Sequence, residues 1–328
     1  MSFNALVARQ SGKEYEVKLE TLNDDDLPRD GEVVVDVAYS SLNYKDGLAV
    51  TGRGRIVRKF PMVLGIDLAG RVVSANGEFK PGDLVLATGQ GLGELDCGGY
   101  TQRQRVKADA LVPLPKELSL EQAMQLGTAG FTAMLAVMAI EHAGVQPGQR
   151  EVIVTGAAGG VGSIAVMLLA KRGHRVAAST GRPELADYLR GLGATTIVPR
   201  EELDAKGGAL QSERWAGGID TVGGQTLANI YAQTAYEGAI GCCGMAGGHE
   251  LNTTVWPLIL RNVSLLGVSS IRTSKAKRIE AWSQLARDAD AAKLAELSRI
   301  EPLTRIFDLA NEILDGRVRG RVVIDVSR

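Results

Sequence analysis

The sequence is poor in the residues that hold metals, disulfides and aromatic stacks. Its 328 residues include three cysteines and three histidines, and only 5% are aromatic. Three cysteines cannot build a disulfide framework, so we expect a reducing, cytoplasmic environment. Residues 1–17 have no apolar core of a signal peptide, and we read no apolar run of membrane length. These absences predict a cytoplasmic protein without a membrane partner.

An excess of charge of either sign is also missing. The chain has 37 basic and 38 acidic residues, which gives a net charge of −1. Nothing in this balance indicates a nucleic-acid partner. The 40 glycines and 45% hydrophobic residues are typical of a glycine-rich α/β enzyme, and the length is sufficient for two domains.

Residues 151–170 contain the most informative pattern in the chain. An apolar run at 152–154 is followed by glycines at 156, 159, 160 and 162, and apolar residues then recur at helical spacing. A strand, a glycine turn and a helix would leave room for a pyrophosphate beside the unpaired N–H groups of the helix start. The spacing is a variant of G-x-G-x-x-G, so an ordinary tight connection is the alternative.

The end of the next predicted strand, 175–179, indicates which nucleotide would bind. A site for NAD normally has an acidic residue there, for the ribose 2′-hydroxyl. This chain has Thr180, Gly181 and Arg182 instead. Because a guanidinium suits a 2′-phosphate, we predict NADPH rather than NADH. The alternative is a solvated Arg182 that the nearby Glu184 neutralises.

The predicted secondary structure changes along the chain. The first third has short predicted strands with Gly/Pro punctuation, which suggests a partly open barrel or a folded sheet. From residue 151, strands at 152–155, 175–179, 195–198, 218–221, 239–243 and 264–268 alternate with helices, which predicts a doubly wound parallel sheet. Residues 121–143 read as mostly helical, with a break at Gly127–Gly130, and residues 274–293 read as one long helix. A final strand at 320–326 is expected to return to the N-terminal third.

Several stretches resemble one known family: Ser41-Leu-Asn-Tyr-Lys-Asp46, Gly65-Ile-Asp-Leu-Ala-Gly70, Gly127-Thr-Ala-Gly-Phe-Thr-Ala133, Thr155 to Gly162, Asp220-Thr-Val-Gly223 and Leu260 to Gly267. Together they resemble the medium-chain dehydrogenase/reductase superfamily, in its quinone oxidoreductase branch, and more narrowly the acrylyl-CoA reductase (YhdH/AcuI-type) family. The resemblance implies a GroES-like catalytic domain over 1–126 and 299–328, a Rossmann NADPH-binding domain over 127–298, an active cleft between them, and a homodimer paired near 264–268.

The resemblance also implies that the site lacks zinc. Zinc-dependent members carry Gly-His-Glu where this chain has Gly65-Ile66-Asp67, and closely spaced cysteines where this chain has only Cys97. A zinc site needs three or four converging ligands, so we predict no metal. Without zinc, a conjugated carbonyl is the easier acceptor, because the protein need only position it and donate hydrogen bonds to its oxygen.

The candidate catalytic residues are Asn43, Tyr44 and Asp67. Asn43 and Tyr44, with Lys45, are the expected donors in the cleft, and in extended chain Asn43 and Tyr44 would divide between substrate and nicotinamide. Asp67 stands where zinc-type relatives have a histidine, and it is expected to orient Tyr44 or Lys45. The alternatives are a packing role for Tyr44, a turn-capping role for Asn43 and a structural carboxylate at Asp67.

Position within the family implies the remaining site residues. The cofactor set comprises Tyr44, Thr128, Ala158, Gly159, Gly160, Val161, Thr180, Gly181, Arg182, Arg200, Met245, Gly267, Val268 and Ser269. Arg200 is equally readable as a solvated arginine beside Glu201 and Glu202. Arg53, Arg55 and Arg58 form, with Lys59, either a solvated basic loop or a landing site for coenzyme A phosphates.

These observations lead to one expected function. The chain is expected to be an NADPH-dependent, zinc-independent reductase that adds hydride to the C=C bond of a short enoyl-CoA such as acryloyl-CoA. An NADPH:quinone oxidoreductase is the alternative enzyme. A non-catalytic NADPH-binding protein is the alternative from another class, because folds are reused without their chemistry.

Overall fold

The computed structural model describes all residues from Met1 to Arg328. Its strands are β1 Ser2–Ser11, β2 Glu14–Asn23, β3 Val33–Ser41, β4 Met62–Val63, β5 Asp67–Ala75, β6 Leu84–Thr88, β7 Arg103–Val106, β8 Val112–Pro113, β9 Val152–Val154, β10 Val176–Thr180, β11 Ala194–Pro199, β12 Trp215–Asp220, β13 Thr234–Cys242, β14 Ser264–Gly267, β15 Ser298–Pro302 and β16 Arg321–Asp325. Its α-helices are α1 Tyr44–Thr51, α2 Leu120–His142, α3 Gly160–Lys171, α4 Ala186–Leu192, α5 Arg200–Asp204, α6 Gly224–Gln233, α7 Trp256–Arg261, α8 Lys275–Asp288, α9 Ala291–Leu297 and α10 Ile306–Leu314.

The chain forms two compact units. The first contains Met1–Phe131, Ser270–Arg287 and Leu294–Arg328, and the second contains Thr132–Ser269 and Asp288–Lys293. This division differs from the domain boundaries expected from the sequence, chiefly because residues 270–287 pack within the first unit. There Trp282 of α8 stacks on Phe131 at 6.5 Å between ring centroids, and both rings are fully buried.

The second unit is built on a six-stranded sheet in the order β11-β10-β9-β12-β13-β14. Every neighbouring pair is parallel, which confirms the predicted doubly wound sheet. The central strands β9, β10 and β12 are buried along their whole length, and Ile153, Ala177 and Ile240 lie in the core of this unit. The order reverses beside β9, so the ends of β9 and β12 border the position where such sheets bind ligands.

The first unit has two sheets. One has the order β2-β1-β4, and the other has the order β15-β16-β3-β5-β6-β8, with β7 also paired to β3. The strand β16 pairs antiparallel to β3, so the expected return of the C-terminal strand is confirmed. β15 was not predicted, and it extends the same sheet by pairing parallel to β16.

The predicted single helix over residues 274–293 is wrong. Two helices are present instead: α8 over Lys275–Asp288 and α9 over Ala291–Leu297. Asp290 accepts hydrogen bonds from the backbone N–H groups of Ala292 and Lys293, which is the action of a helix N-cap. Because Asp290 caps a new helix, α8 ends before it and α9 begins after it.

The expectation that no apolar run reaches membrane length is also wrong. Helix α2 has 23 residues, and an 18-residue stretch of it has a mean hydropathy of 1.6. Within the protein 83% of that stretch is buried, as is usual for a core helix. Its backbone leaves helical geometry at Gly127, so the predicted break near Gly127–Gly130 is present.

Candidate functional site

In the second unit the glycine turn connects β9 to α3. Gly159 is the N-cap residue of α3, and no side chain caps that helix. A Cβ atom at Gly162 would lie 2.3 Å from the carbonyl oxygen of Gly156, so only glycine lets the helix start so close to the turn. The N–H group of Ala157 donates to the carbonyl of Ser179 at 3.0 Å, which holds the turn beside the end of β10. The geometry is that of an anion-binding helix start.

Two arginines lie at the end of β10. Arg182 donates from Nη2 to the carbonyl oxygen of Ala158 at 3.1 Å, and its N–H donates to Thr180 Oγ1 at 3.0 Å. Arg200, the first residue of α5, lies against Gly181, where a Cβ atom would be only 2.6 Å from the guanidinium carbon. Arg182 and Arg200 therefore flank the residue at which dinucleotide sites contact the adenosine ribose.

The acidic residues that could neutralise these arginines do not do so. Glu184 makes no ion pair, and Glu202 pairs with Arg214 rather than with Arg200. Arg200 itself is exposed and has no hydrogen-bonded or ionic partner. An exposed guanidinium without an ionic partner favours an anion at this strand end.

The other strand ends of this sheet lie along the same edge. At the end of β12, Asp220 accepts from Thr155 Oγ1 at 2.6 Å and from the N–H of Gly223 at 2.8 Å, and burial raises its pKa. Met245 follows β13 and is 71% exposed. Gly267, Val268 and Ser269 follow or end β14, where the N–H of Val268 donates to Cys242. These positions are the carboxyl ends of parallel strands, where α/β sheets bind their ligands.

In the first unit, Asp67 is the centre of a buried polar network. Its carboxylate accepts hydrogen bonds from Ser41 Oγ at 2.5 Å, from Asn43 Nδ2 at 2.9 Å and from the backbone N–H of Thr128 at 2.8 Å. The Thr128 hydroxyl donates to the other carboxylate oxygen. Asp67 is fully buried, so these donors replace the water that its charge has lost.

Arg321 of β16 is the cation of this network. Its guanidinium donates to Ser41 Oγ at 2.8 Å, to the carbonyl of Leu42 at 2.9 Å and to the carbonyl of Gln125 at 3.1 Å. Burial lowers the pKa of Arg321, and the charges of Asp67 and Asp46 oppose that shift. The hydroxyl of Ser41 therefore links the cation to the Asp67 carboxylate, because it accepts from one and donates to the other.

A second buried carboxylate, Asp46, lies in the first turn of helix α1. It accepts hydrogen bonds from the N–H of Asn43 at 2.9 Å, from Asn43 Nδ2 at 3.1 Å and from the N–H of Ile66 at 2.9 Å. Burial, reinforced by the charge of Asp67, raises the pKa of Asp46 to about 7. Burial also raises the pKa of Tyr100 well above its ordinary value, and its hydroxyl donates to the carbonyl of Ser41.

Gly127 closes the network from the side of α2. Its φ of 53° is a left-handed conformation, and a Cβ atom there would lie 2.7 Å from Arg321 Nη2, Asp67 Oδ2 and Ser41 Oγ. No side chain fits in that space. The chain break at Gly127 therefore lets the following residue, Thr128, bring its N–H and hydroxyl to Asp67.

Asn43, Tyr44 and Lys45 do not form the extended segment that we expected. Asn43 has extended geometry and is the N-cap of α1, which begins at Tyr44. Lys45 pairs with Glu94 at 2.9 Å. Contrary to our expectation, Asp67 does not contact Tyr44 or Lys45 directly, because it accepts hydrogen bonds from Ser41, Asn43 and Thr128 instead. Tyr44 is 53% exposed, and its hydroxyl has no partner in the protein.

The basic loop after α1 is exposed at each of its charged residues. Arg53 donates to Asn311 at 3.2 Å, so its guanidinium is partly occupied. The side chains of Arg55, Arg58 and Lys59 have no hydrogen-bonded or ionic partner. The loop therefore presents three unpaired cations.

Comparison with known proteins gives the family. The model of the alcohol dehydrogenase GroES-like domain matches residues 29–116, and that of the zinc-binding dehydrogenase matches residues 160–288. Acrylyl-CoA reductase AcuI of Ruegeria pomeroyi is 50% identical, and the match covers 99% of both chains. The chain belongs to the AcuI/YhdH family of medium-chain dehydrogenases/reductases.

Solved structures in this family have the same fold. The yhdH oxidoreductase from Salmonella enterica, in complex with NADP, has a TM-score of 0.95 and 48% identity over 99% of both chains. The yhfP protein of Bacillus subtilis, with NAD bound, has a TM-score of 0.95 and 43% identity over 99% of both chains. The GroES-like domain and the Rossmann-type sheet expected from the sequence are therefore confirmed.

The zinc named in the description of one family model does not fit this member of the AcuI/YhdH family. No three His, Cys, Asp or Glu side chains lie close enough together to share a metal ion. Asp67 accepts hydrogen bonds at both of its carboxylate oxygens, from Asn43 Nδ2 at one and from the Thr128 hydroxyl at the other. Cys97 has no second cysteine beside it. The donor set therefore belongs to a hydrogen-bonded network rather than to a metal site.

Sequence reasoning missed three members of this network, Ser41, Asp46 and Arg321. Ser41 and Asp46 lie at the two ends of the polar stretch that carried the family resemblance, and an Asn43-x-x-Asp46 spacing is a readable helix-start signal. The sequence gives only one sign of the role of Arg321, a charge directly before the apolar run of residues 322–324. Nothing near it in sequence identifies its partners.

The raised pKa of Asp46 predicts a pH dependence of stability. Folding raises this pKa from 3.8 to about 7, so between those pH values the folded protein retains a proton that the unfolded chain has lost. Its stabilising contribution is complete below about pH 4 and is lost as the pH rises through about 7. The free energy of unfolding, measured by denaturant titration, should therefore fall more steeply between about pH 4 and 7, the span of the shift, in the wild type than in Asp46→Asn.

The control for that comparison is Asp109→Asn, which changes an exposed carboxylate of the same unit that has no partner. It should keep the wild-type pH profile. Parallel profiles for the wild type and Asp46→Asn would show that Asp46 does not titrate in this range.

Proposed function

We propose that this chain is an NADPH-dependent, zinc-independent reductase that adds hydride to the activated C=C bond of a short enoyl-CoA, acryloyl-CoA in the first instance. The observation that carries the proposal is the 50% identity over the full length to a protein named acrylyl-CoA reductase. The hydrogen-bonded network at the position of the zinc ligands agrees with it, because a conjugated thioester needs no Lewis acid if donors are aimed at its oxygen.

The second unit is the proposed NADPH site. The turn residues Ala158, Gly159, Gly160 and Val161 would hold the pyrophosphate at the start of α3. Thr180, Gly181, Arg182 and Arg200 would hold the adenosine ribose and its 2′-phosphate. Met245, Gly267, Val268 and Ser269 complete the part of the proposed cofactor set that lies in this unit.

When bound, NADPH supplies the hydride that the β-carbon of the thioester receives. Negative charge then accumulates on the thioester oxygen until the α-carbon takes up a proton, and Tyr44 is the proposed hydrogen-bond donor to that oxygen. The Tyr44 hydroxyl is exposed and unpaired, so it can donate without breaking an internal hydrogen bond. Tyr44 also lies in the first turn of α1, where the unpaired N–H groups favour negative charge.

Asn43 and Asp67 are proposed as positioning residues. The Asn43 amide donates to Asp46 and Asp67 inside the protein, and only 8% of the residue is exposed. These bonds fix the start of α1 and hence the place of Tyr44. Asp67 fixes the position of Thr128, because it accepts hydrogen bonds from the N–H and the hydroxyl of that residue. Such positioning lowers the barrier because the reacting groups need not be ordered in each turnover.

The basic loop is the proposed site for coenzyme A phosphates. Arg55 and Arg58 are unpaired and exposed, whereas Arg53 already donates to Asn311. The free guanidinium groups would donate charge-assisted hydrogen bonds to the phosphate oxygens. A quinone has no phosphate, so this loop favours the thioester over a quinone as the acceptor.

A homodimer and a cytoplasmic location complete the proposal. Strand β14 is at the edge of its sheet, and α7 beside it exposes Trp256, Ile259 and Leu260 by 54%, 70% and 61%. An exposed apolar group of this kind at a sheet edge suits pairing with a second copy. The three free cysteines suit a reducing compartment.

The reaction class is tested by NADPH oxidation with three samples: acryloyl-CoA, a quinone and no acceptor. We expect turnover with acryloyl-CoA to exceed turnover with the quinone by roughly a hundredfold or more, because only the thioester offers groups to the basic loop. Turnover with the quinone alone would make the protein a quinone reductase. Tight NADPH binding with neither acceptor reduced would favour a non-catalytic binder.

The preference for NADPH is tested with Arg182→Ala and Arg200→Ala. Each change removes a cation next to the proposed 2′-phosphate, so Kd for NADPH should rise roughly tenfold or more, while Kd for NADH should stay within about twofold. Fluorescence titration of the reduced cofactors measures both constants. Arg190→Ala, which removes an exposed arginine from α4, is the control. Equal losses for NADPH and NADH would contradict the assignment.

A further inference from the structure

A cavity of about 160 Å³ lies in the first unit, outside the polar network. Met62, Leu92 and Val106 form a buried apolar wall, and Leu95, which is 48% exposed, stands at its opening. A cavity of about 150 Å³ holds one aromatic ring, whereas sites for whole small molecules measure roughly 300–1,000 Å³. The cavity therefore fits one ring of a larger ligand.

Unpaired cations border this cavity. Lys59 lines it, and Arg58 precedes Lys59 in the chain; both are exposed and without an ionic partner. Lys107, on the same cavity, is already paired with Asp96 at 2.9 Å. Arg105, also on the cavity, donates to the carbonyl of Pro28 at 3.1 Å. The cations without a partner at the cavity edge are therefore Lys59 and, beside it in the chain, Arg58, and such cations bind phosphate oxygens.

The loop of residues 89–97 joins the cavity to the rest of the proposed site. Leu92 and Leu95 line the cavity. Between them in sequence, Glu94 pairs with Lys45 at 2.9 Å, and its carbonyl accepts the N–H of Arg58 at 2.9 Å. One loop thus borders the helix that begins at Tyr44, the basic residues and the cavity.

We infer that this cavity binds the adenine ring of a coenzyme A thioester, with its ribose 3′-phosphate at Arg58 and Lys59. The inference rests on the proposed function, because it places the non-reacting end of that substrate. A ring-sized apolar cavity beside unpaired cations matches the adenosine 3′,5′-bisphosphate end of coenzyme A. Binding of this remote end would hold the acyl group for reaction.

The kinetic test compares acryloyl-CoA with acryloyl-pantetheine, which lacks the nucleotide. Lys59→Ala removes the cation, and Leu95→Glu places a carboxylate at the opening. Each variant should raise KM for acryloyl-CoA about tenfold and leave KM for acryloyl-pantetheine within about twofold. Lys80→Ala, which changes an exposed and unpaired lysine of the same unit away from the cavity, should leave both values at wild type. Equal changes for the two thioesters would overturn the inference.

A binding test separates this inference from the proposed function. Adenosine 3′,5′-bisphosphate is titrated by calorimetry into protein saturated with NADP⁺, so that the nucleotide site of the second unit is filled. Binding should weaken about tenfold in Lys59→Ala and Leu95→Glu, and not in Lys80→Ala. Absence of binding to the wild type, or equal binding to all four proteins, would refute the cavity assignment. If no thioester is reduced, the proposed function fails and this titration still decides the cavity.

Discussion

The buried guanidinium of Arg321 is the constraint on which the first unit depends. It lies among two buried carboxylates, the Ser41 hydroxyl and the carbonyls of Leu42 and Gln125. Removing one partner of such a set leaves a charge without compensation and costs about 3–5 kcal/mol. The cation therefore fixes four chain segments at once: the end of β3, the start of α1, the bend of α2 at Gly127, and β16.

By the resemblance described above, Gly65-Ile66-Asp67 corresponds to the Gly-His-Glu of zinc-dependent relatives, and the network around Asp67 holds chain segments together as a metal would. A metal fixes its ligands by coordination, whereas Asp67 fixes Ser41, Asn43 and Thr128 by accepting their hydrogen bonds. The consequence differs for chemistry. In the reaction proposed above, donors at the edge of the network, Tyr44 first, would stabilise the charge on a substrate.

The sequence predicts well those features that depend on neighbours in the chain. The six parallel strands and the glycine turn follow from local periodicity and from Gly162, and the break in α2 follows from Gly127. The helix at Tyr44 was missed although Asn43 and Asp46 have the spacing of a cap, because the preceding strand suggested that extended chain continued. The domain division near α8 depends on Trp282 meeting Phe131, a contact across 151 residues that no local pattern reports.

The role of Arg321 is the clearest case of a feature that a single sequence does not reveal. Its partners Gln125 and Ser41 lie 196 and 280 residues away. The arrangement exists only because β16 returns antiparallel to β3. Similarly, Arg200 was as readable as a solvated arginine until the fold placed it against Gly181.

The central proposal is that the network around Arg321, which includes Asn43 and Asp67, positions the reacting groups. The most direct test is kcat for acryloyl-CoA in Arg321→Lys, which keeps the charge but loses the fork of donors. We predict a fall in kcat of roughly a hundredfold, with Kd for NADPH within about twofold of wild type and an unchanged circular dichroism spectrum. A folded Arg321→Lys protein with wild-type kcat would contradict the claim.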